Sequence, residues 1–224
     1  MGVINMASVT LYLVRHGQTY FNIYNKLQGW SNSPLTDKGL ADAKSAGERL
    51  ANVSFAAAYC SDTTRAQQTA ATILTENNVS NVKQPISSPF FREQFYGSFE
   101  GENMNYVWDQ VGRPHGLNGF KEIEEKYSIA KAKDFMKEAD PFHDAESNDE
   151  YWHRIDRGFD LIRENDDLSD GDNVLVISHG NTLLSLMERY GGGKYDLSVR
   201  PENGSVTRLA LDDQKITVLG YNEK

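Results

Sequence analysis

Short apolar segments of strand length alternate along this chain with longer segments of helical periodicity. Residues 9–14, Phe55–Cys60 and Asn173–Ser178 are the clearest strand candidates, and the last is the most hydrophobic of them. A helical face is formed by four apolar residues at spacings of four, four and three, namely Tyr151, Ile155, Phe159 and Ile162. This alternation predicts an α/β fold, a three-layer α/β/α sandwich around a mostly parallel mixed sheet.

One segment departs from that alternation. Residues 99–150 contain 13 Asp and Glu against 6 Lys and Arg, a net charge of −7 out of −9 for the whole chain. Pro114, Gly116 and Gly119 interrupt the segment. We therefore expect a single domain over residues 1–224, with an acidic helical insertion at about 99–150 that lies over the functional site.

Composition narrows the class of protein. A length of 224 residues with 39% hydrophobic and 25% charged residues is typical of one globular domain. The net charge of −9 opposes binding to nucleic acid or to an anionic membrane. No apolar run approaches the roughly 20 residues that span a bilayer, and the N-terminus lacks a basic signal-peptide region. With Cys60 as the single cysteine, we expect a cytoplasmic protein.

Two of the predicted strands end in the same dipeptide, His-Gly. The first runs into His16 and Gly17, and a later one runs into His179 and Gly180. Ligands of open α/β sheets bind beyond the carboxyl ends of strands, so neighbouring strands would bring both imidazoles into one crevice. Asn181 then begins a helix, where free N–H groups and the helix dipole favour an anion.

Two arginines are placed to bind an anion in that crevice. Arg15 precedes His16, and Arg65 lies one turn into a helix that we expect Ser61 and Asp62 to cap. Two guanidinium groups can bind several phosphoryl oxygens bidentately. Two imidazoles and two arginines in an otherwise acidic chain predict a small anion pocket.

The order of the motifs resembles the histidine phosphatase (phosphoglycerate mutase-like) superfamily. The resemblance rests on ordered blocks: Leu13 through Thr19 with Asn22; Gln28-Gly29; Ser33 through Thr36; Ser61-Asp62 with Arg65-Ala66; Arg92-Glu93 with Gly97; Glu100-Gly101; Ser178 through Gly180; and Asn203 through Val206. These blocks cover most of the chain apart from the acidic segment. The resemblance implies a phosphohistidine intermediate.

The resemblance also implies roles for individual residues. His16 would be the nucleophile, with its attacking nitrogen unprotonated. Arg15, Arg65 and His179 would surround the phosphoryl group and neutralise its charge. Glu93 would be the proton donor, although a loop salt bridge is the alternative. We expect no metal and no cofactor.

Five further residues are candidates for binding the substrate: Asn22, Gly29, Tyr96, Gly180 and Asn181. Asn22 has a structural alternative as a loop-capping residue. Tyr96 matches a substrate-facing tyrosine of the mutases that the chain resembles, but it is equally well explained as a packed aromatic side chain.

Three functions remain open at this point. The favoured one is a phosphatase that releases phosphate from a small phosphorylated metabolite. A cofactor-dependent phosphoglycerate mutase is the second, and its very anionic substrates would be repelled by an acidic insertion without paired arginines. A non-catalytic module that senses a phosphorylated ligand is the third. The expected terminal hairpin is an exposed edge through which a homodimer could form.

Overall fold

A six-stranded mixed sheet forms the centre of the computed structural model, which describes residues 7–224. The strands are β1 (Val9–Arg15), β2 (Phe55–Cys60), β3 (Ile86–Ser87), β4 (Asn173–Ser178), β5 (Val206–Leu211) and β6 (Ile216–Glu223). Their order is β3-β2-β4-β1-β5-β6, with β1 to β4 parallel and with β5 and β6 added antiparallel. The mostly parallel sheet predicted from the sequence is confirmed.

Helices cover both faces of this sheet. They are α1 (Tyr20–Ile23), α2 (Asp37–Arg49), α3 (Thr64–Glu76), α4 (Met104–Gly112), α5 (Gly119–Lys126), α6 (Ile129–Ala139), α7 (Asn148–Arg163) and α8 (Gly180–Tyr190). Side chains of α2 and α3 pack on one face of the sheet, and those of α7 and α8 pack on the other. Because strand side chains alternate between faces, each face buries its own apolar cluster and the three layers follow. None of the helices in the described part of the chain is long and apolar enough to cross a membrane.

The strand register determines where the site lies. β4 lies between β1 and β2, and Arg15 is level with Ser178 in the β1–β4 pair. The amide of His16 donates to the carbonyl of Ser178 at 3.1 Å. His16 and His179 therefore leave adjacent parallel strands at the same edge of the sheet, as the repeated His-Gly ending predicts.

The acidic segment forms three helices with a small core of their own. α4, α5 and α6 pack around a buried set that includes Leu27, Trp108, Ile123, Phe135 and Met136. The last acidic residues of the segment belong instead to the first turn of α7, where Asp149 and Glu150 suit the positive end of the helix dipole. The helices of the predicted insertion thus span 104–139, and the chain returns to the main layers with α7.

One local expectation was wrong. Helix α3 begins at Thr64 with Thr63 at the N-cap position, rather than with a cap from Ser61 or Asp62. Ser61 is buried and bonds to His179 and Thr63, while Asp62 forms a bidentate ion pair with Arg92. Both side chains are used by tertiary contacts that a local capping rule does not include.

Candidate functional site

The two histidine rings face each other at the edge of the sheet. Their centroids are 5.3 Å apart, and His16 is only 4% exposed. Nδ1 of His16 lies 2.8 Å from the carbonyl oxygen of Gly17. A carbonyl only accepts, so Nδ1 carries the proton and Nε2 is left with its lone pair free.

The surroundings of His16 keep this ring neutral. Burial lowers the pKa of His16 well below its usual value, and the charges of Arg65 and Arg15 lower it further. The carbonyl of His16 accepts from Asn203 at 2.7 Å, and the amide of Gly17 donates to Thr69 at 3.2 Å. The ring that sequence analysis predicts as the nucleophile is therefore fixed in position and neutral at pH 7, with Nε2 unprotonated.

Arg65 is fully buried although its guanidinium is charged. It donates to the carbonyl oxygens of Ser31 and Gly29 at 2.9 and 2.7 Å, and Nη2 lies 3.2 Å from Nδ1 of His179. Burial lowers its pKa to about 10, and the nearby Glu93 opposes that shift, so the side chain stays charged at pH 7. Its Nε is buried without a hydrogen-bond partner.

Arg15 is the second guanidinium of the site. It donates through Nη1 to the carbonyl of Pro201, and its Nε is also buried without a partner. A Cβ added to Gly180 would lie only 3.2 Å from that Nε, so Gly180 packs directly against the guanidinium. Two buried N–H groups without partners, one on each arginine, are the donors that a bound oxyanion would satisfy.

His179 makes a hydrogen bond through each ring nitrogen. Because a guanidinium only donates, Nδ1 accepts from Arg65, and Nε2 then donates to Ser61 at 3.0 Å. Burial and the charge of Arg65 lower its pKa well below the usual value, so this ring is neutral as well. His179 thus lies beside the predicted anion pocket with both ring nitrogens bonded to protein groups.

Glu93 lies at the N-terminus of α8. Its carboxylate accepts from the backbone amide of Asn181 and the hydroxyl of Thr182, both at 2.8 Å, and from the amide of Gln94 at 3.0 Å. The side chain is 4% exposed. It is near enough to Arg15 and Arg65 to raise the pKa of each against the effect of burial. The predicted proton donor is thus beside the predicted phosphoryl pocket.

The backbone of Glu93 is held by two residues that sequence analysis missed. Arg154 of α7 donates to the carbonyls of Arg92 and Glu93 at 2.8 and 3.0 Å, and it forms a bidentate ion pair with Glu146. The indole N–H of Trp30 donates to the same Glu93 carbonyl at 3.0 Å. No local motif marks Arg154, since it lies 61 residues from Glu93 on an ordinary amphipathic helix.

Glu100 organises the loop that binds Arg65. Its carboxylate accepts from the amides of Gly29, Trp30 and Ser31, at 3.1, 2.8 and 3.1 Å. It also accepts from the Ser31 hydroxyl at 2.6 Å. A Cβ on Gly29 would lie 2.0 Å from the carbonyl oxygen of Gln94, so only glycine fits there. Glu100-Gly101 belongs to the blocks that carry the family resemblance, but the sequence alone does not predict this role for Glu100.

The remaining candidates for substrate binding make the following contacts. Asn22 closes a capping box with Thr19 at the start of α1, which is its structural alternative. Tyr96 is buried at 6% exposure among the apolar side chains of the insertion. The Asn181 side chain donates to Gln94 at 3.0 Å while its Oδ1 has no partner. Both the N–H and the carbonyl of Gly29 are bonded within the protein.

Sequence comparison finds a matching family model and similar proteins. The family model described as histidine phosphatase superfamily (branch 1) matches residues 11–116 and 109–224. A protein of Gloeobacter violaceus, 2,3-bisphosphoglycerate-dependent phosphoglycerate mutase 2, is 31% identical over 190 residues, covering 79% of this chain and 73% of that protein.

Two solved structures are also similar. A phosphoglycerate mutase from Bacillus anthracis is 35% identical with a TM-score of 0.88, covering 97% of this chain and 94% of that one. The alpha-ribazole phosphatase from Shigella flexneri shares the fold, with 22% identity, a TM-score of 0.67 and 96% coverage of each chain. The match of the family model over nearly all described residues, together with the site at the ends of β1 and β4, shows that this chain belongs to the histidine phosphatase superfamily.

Proposed function

We propose that this protein hydrolyses small phosphomonoesters, without a metal, through a phosphohistidine intermediate on His16. The observation that carries the proposal is a neutral His16 ring close to the charges of the buried Arg65 and the half-buried Arg15, each with a buried Nε–H group that lacks a partner. A neutral imidazole is a nucleophile, and the two cations offset the charge of the phosphoryl oxygens. The buried Cys60, the single cysteine, supports a reducing cytoplasmic location.

The reaction divides into two transfers. Nε2 of His16 attacks phosphorus and forms the N–P bond while the ester P–O bond breaks, and Glu93 gives its proton to the leaving alkoxide. Glu93 then takes a proton from water, whose oxygen attacks phosphorus as the N–P bond breaks and phosphate leaves. Proton transfer from a positioned carboxyl group contributes about 10²–10⁴-fold to such reactions. Arg15 and Arg65 bind the phosphoryl oxygens throughout.

The insertion contains one arginine, Arg113. Its position favours hydrolysis over transfer of the phosphoryl group to a second hydroxyl. Arg113 is ion-paired with Asp109, and 75% of its side chain is exposed. Within the described residues, α4, α5 and α6 therefore supply no arginine to the pocket. The paired arginines that the family resemblance implies for a mutase are missing there.

A phosphoglycerate mutase is the second candidate, because the similar protein of Gloeobacter violaceus and the similar structure from Bacillus anthracis both carry that name. Both reactions begin with transfer to His16. They differ in what receives the phosphoryl group, water in one case and a second hydroxyl of the substrate in the other.

Product analysis separates these candidates. The protein is incubated with 3-phosphoglycerate and a trace of 2,3-bisphosphoglycerate, and in parallel with an aryl phosphate, and both free phosphate and 2-phosphoglycerate are measured. Phosphate release without isomerisation supports hydrolysis, and rapid formation of 2-phosphoglycerate supports the mutase. The control variant His16→Ala should lose every activity, and turnover by it near the wild-type rate would refute both candidates.

A further inference from the structure

A cleft of about 630 Å³ lies between the insertion and the loop that precedes β5. Its walls are aromatic on one side, where Trp108 and Phe120 meet edge to face with centroids 4.7 Å apart. Its charged side chains come from both elements: Asp109, Lys121 and Glu124 from the insertion, and Arg200 from the loop. The cleft thus carries balanced charge, unlike the insertion as a whole.

Arg200 is the free cation of this cleft. Its guanidinium carbon lies 4.5 Å from the ring centroid of Phe120, which orients the planar group over the aromatic face. The side chain is exposed, and it forms no hydrogen bond or ion pair with any residue in 7–224. Lys121, in contrast, is within 3.6 Å of Glu125. The donors of Arg200 are consequently available to a ligand.

The cleft adjoins the phosphoryl pocket. The residue after Arg200 is Pro201, whose carbonyl accepts the hydrogen bond from Arg15. The charge of Arg200 contributes to the lowered pKa of Arg15, after burial, which is the main cause. Burial raises the pKa of Tyr96, and the charge of Arg200 opposes part of that rise. An anion bound by Arg15 would therefore also interact with the charge of Arg200.

Two carboxylates share the cleft with this cation. Asp109 forms an ion pair with Arg113. Burial raises the pKa of Glu124, the charge of Arg200 opposes part of that rise, and one of the Glu124 carboxylate oxygens is buried with no hydrogen-bond partner. That oxygen suits a hydroxyl donor of a ligand, while Arg200 suits an acceptor that carries negative charge.

We propose that Arg200 binds a second anionic group, a carboxylate or a phosphate, on the alcohol half of the phosphomonoester substrate. The inference rests on the proposed function because it assumes that the first phosphate occupies the pocket between Arg15 and Arg65. It assigns substrate selection to the loop before β5 rather than to the insertion. Substrates without the second anion bind through the phosphate alone.

The test uses ligand pairs that differ in one group. 3-Phosphoglycerate and glycerol 3-phosphate differ only in a carboxylate against a hydroxymethyl group, and fructose 1,6-bisphosphate and fructose 6-phosphate differ in one phosphate. Affinities are measured by calorimetry in a His16→Ala background, so that no turnover occurs. Arg200→Gln is the test variant, and Arg157→Gln, at an exposed position of α7 that does not line the cleft, is the matched control.

We expect Arg200→Gln to weaken the doubly anionic member of at least one pair by about 10-fold, equivalent to about 1.4 kcal/mol. The singly phosphorylated partner should change less than about 2-fold, and Arg157→Gln should change neither. The pair that responds identifies the second anion as carboxylate or phosphate. Equal weakening of both members, or no weakening of either pair, would overturn the role of Arg200. Because binding is measured without turnover, this outcome is separate from failure of the proposed hydrolysis.

Discussion

Replacing Lys133 by methionine should stabilise the protein at neutral pH. Lys133 on α6 is 1% exposed, and its ammonium donates to Ser185 of α8 at 2.7 Å and lies 4.7 Å from the ring centroid of Tyr151. Burial lowers its pKa from 10.5 to about 8, although the charges of Glu188 and Glu93 oppose the shift. A buried ammonium of this kind opposes folding because its charged form is better solvated in the unfolded chain.

The magnitude follows from the two pKa values. The pKa of Lys133 is about 8 in the folded protein and 10.5 in the unfolded chain. Below pH 8 this difference lowers the free energy of unfolding by about 3 kcal/mol. The lost hydrogen bond to Ser185 removes about 1 kcal/mol from the gain. The variant should therefore be more stable by about 2 kcal/mol at pH 7, which raises Tm by roughly 4–8 °C in a chain of this size.

The pH dependence distinguishes this cause from better packing. Between pH 8 and 10.5 the unfolded chain holds a proton on Lys133 that the folded chain has released, so wild-type stability rises with pH by about 1.4 kcal/mol per pH unit from this group. The advantage of Lys133→Met over wild type should shrink across that window in urea unfolding curves. Lys131→Met, on the exposed side of α6, should show no such trend. A variant that is less stable than wild type at pH 7, or an advantage that is constant from pH 7 to 10.5, would refute the reasoning.

Three further outcomes follow from the site. Glu93→Gln should slow alkyl phosphates by about 10²–10⁴-fold and aryl phosphates much less, since only poor leaving groups need the proton; equal losses in kcat would remove Glu93 as the acid. Gly29→Ala should lower stability by about 1–3 kcal/mol and weaken phosphate binding, because its Cβ would lie 2.0 Å from the Gln94 carbonyl; an unchanged Tm and phosphate affinity would contradict this. Because the pKa of His16 is lowered well below 6.5, kcat/KM should show no loss from protonation of His16 between pH 8 and 6.5; an acid limb at 6.5 or above that is caused by His16 would contradict the neutral ring.

The sheet and its active edge could be predicted because they depend on short-range patterns. Apolar runs of strand length placed β1, β2 and β4, and the repeated His-Gly ending placed His16 and His179 side by side. Parallel strands bring their carboxyl ends to the same edge of the sheet. The repeated His-Gly ending therefore predicted that two residues far apart in the chain lie side by side. The fold and the family are confirmed, while the chemical roles of the site residues stay predictions.

The supporting contacts could not be predicted because they join residues far apart in the chain. Glu100 acts about 70 residues from the loop that it holds, and Arg154 acts 61 residues from Glu93. The net charge of residues 99–150 also does not tell how many of its carboxylates face the cleft, because charge counted along the chain contains no direction. Only two of its carboxylates line the cleft, and Arg200 arrives there from a different segment.

The most direct test of the central claim is to trap the phosphorylated protein. Wild-type protein is mixed with substrate labelled in the phosphoryl group, quenched in alkali within a single turnover, digested, and mapped by mass spectrometry. We predict one phosphoryl group on the peptide that contains His16, stable in alkali and lost in acid, and none in His16→Ala. Turnover by the wild-type protein with no label on His16, or with the label on another residue, would contradict the account.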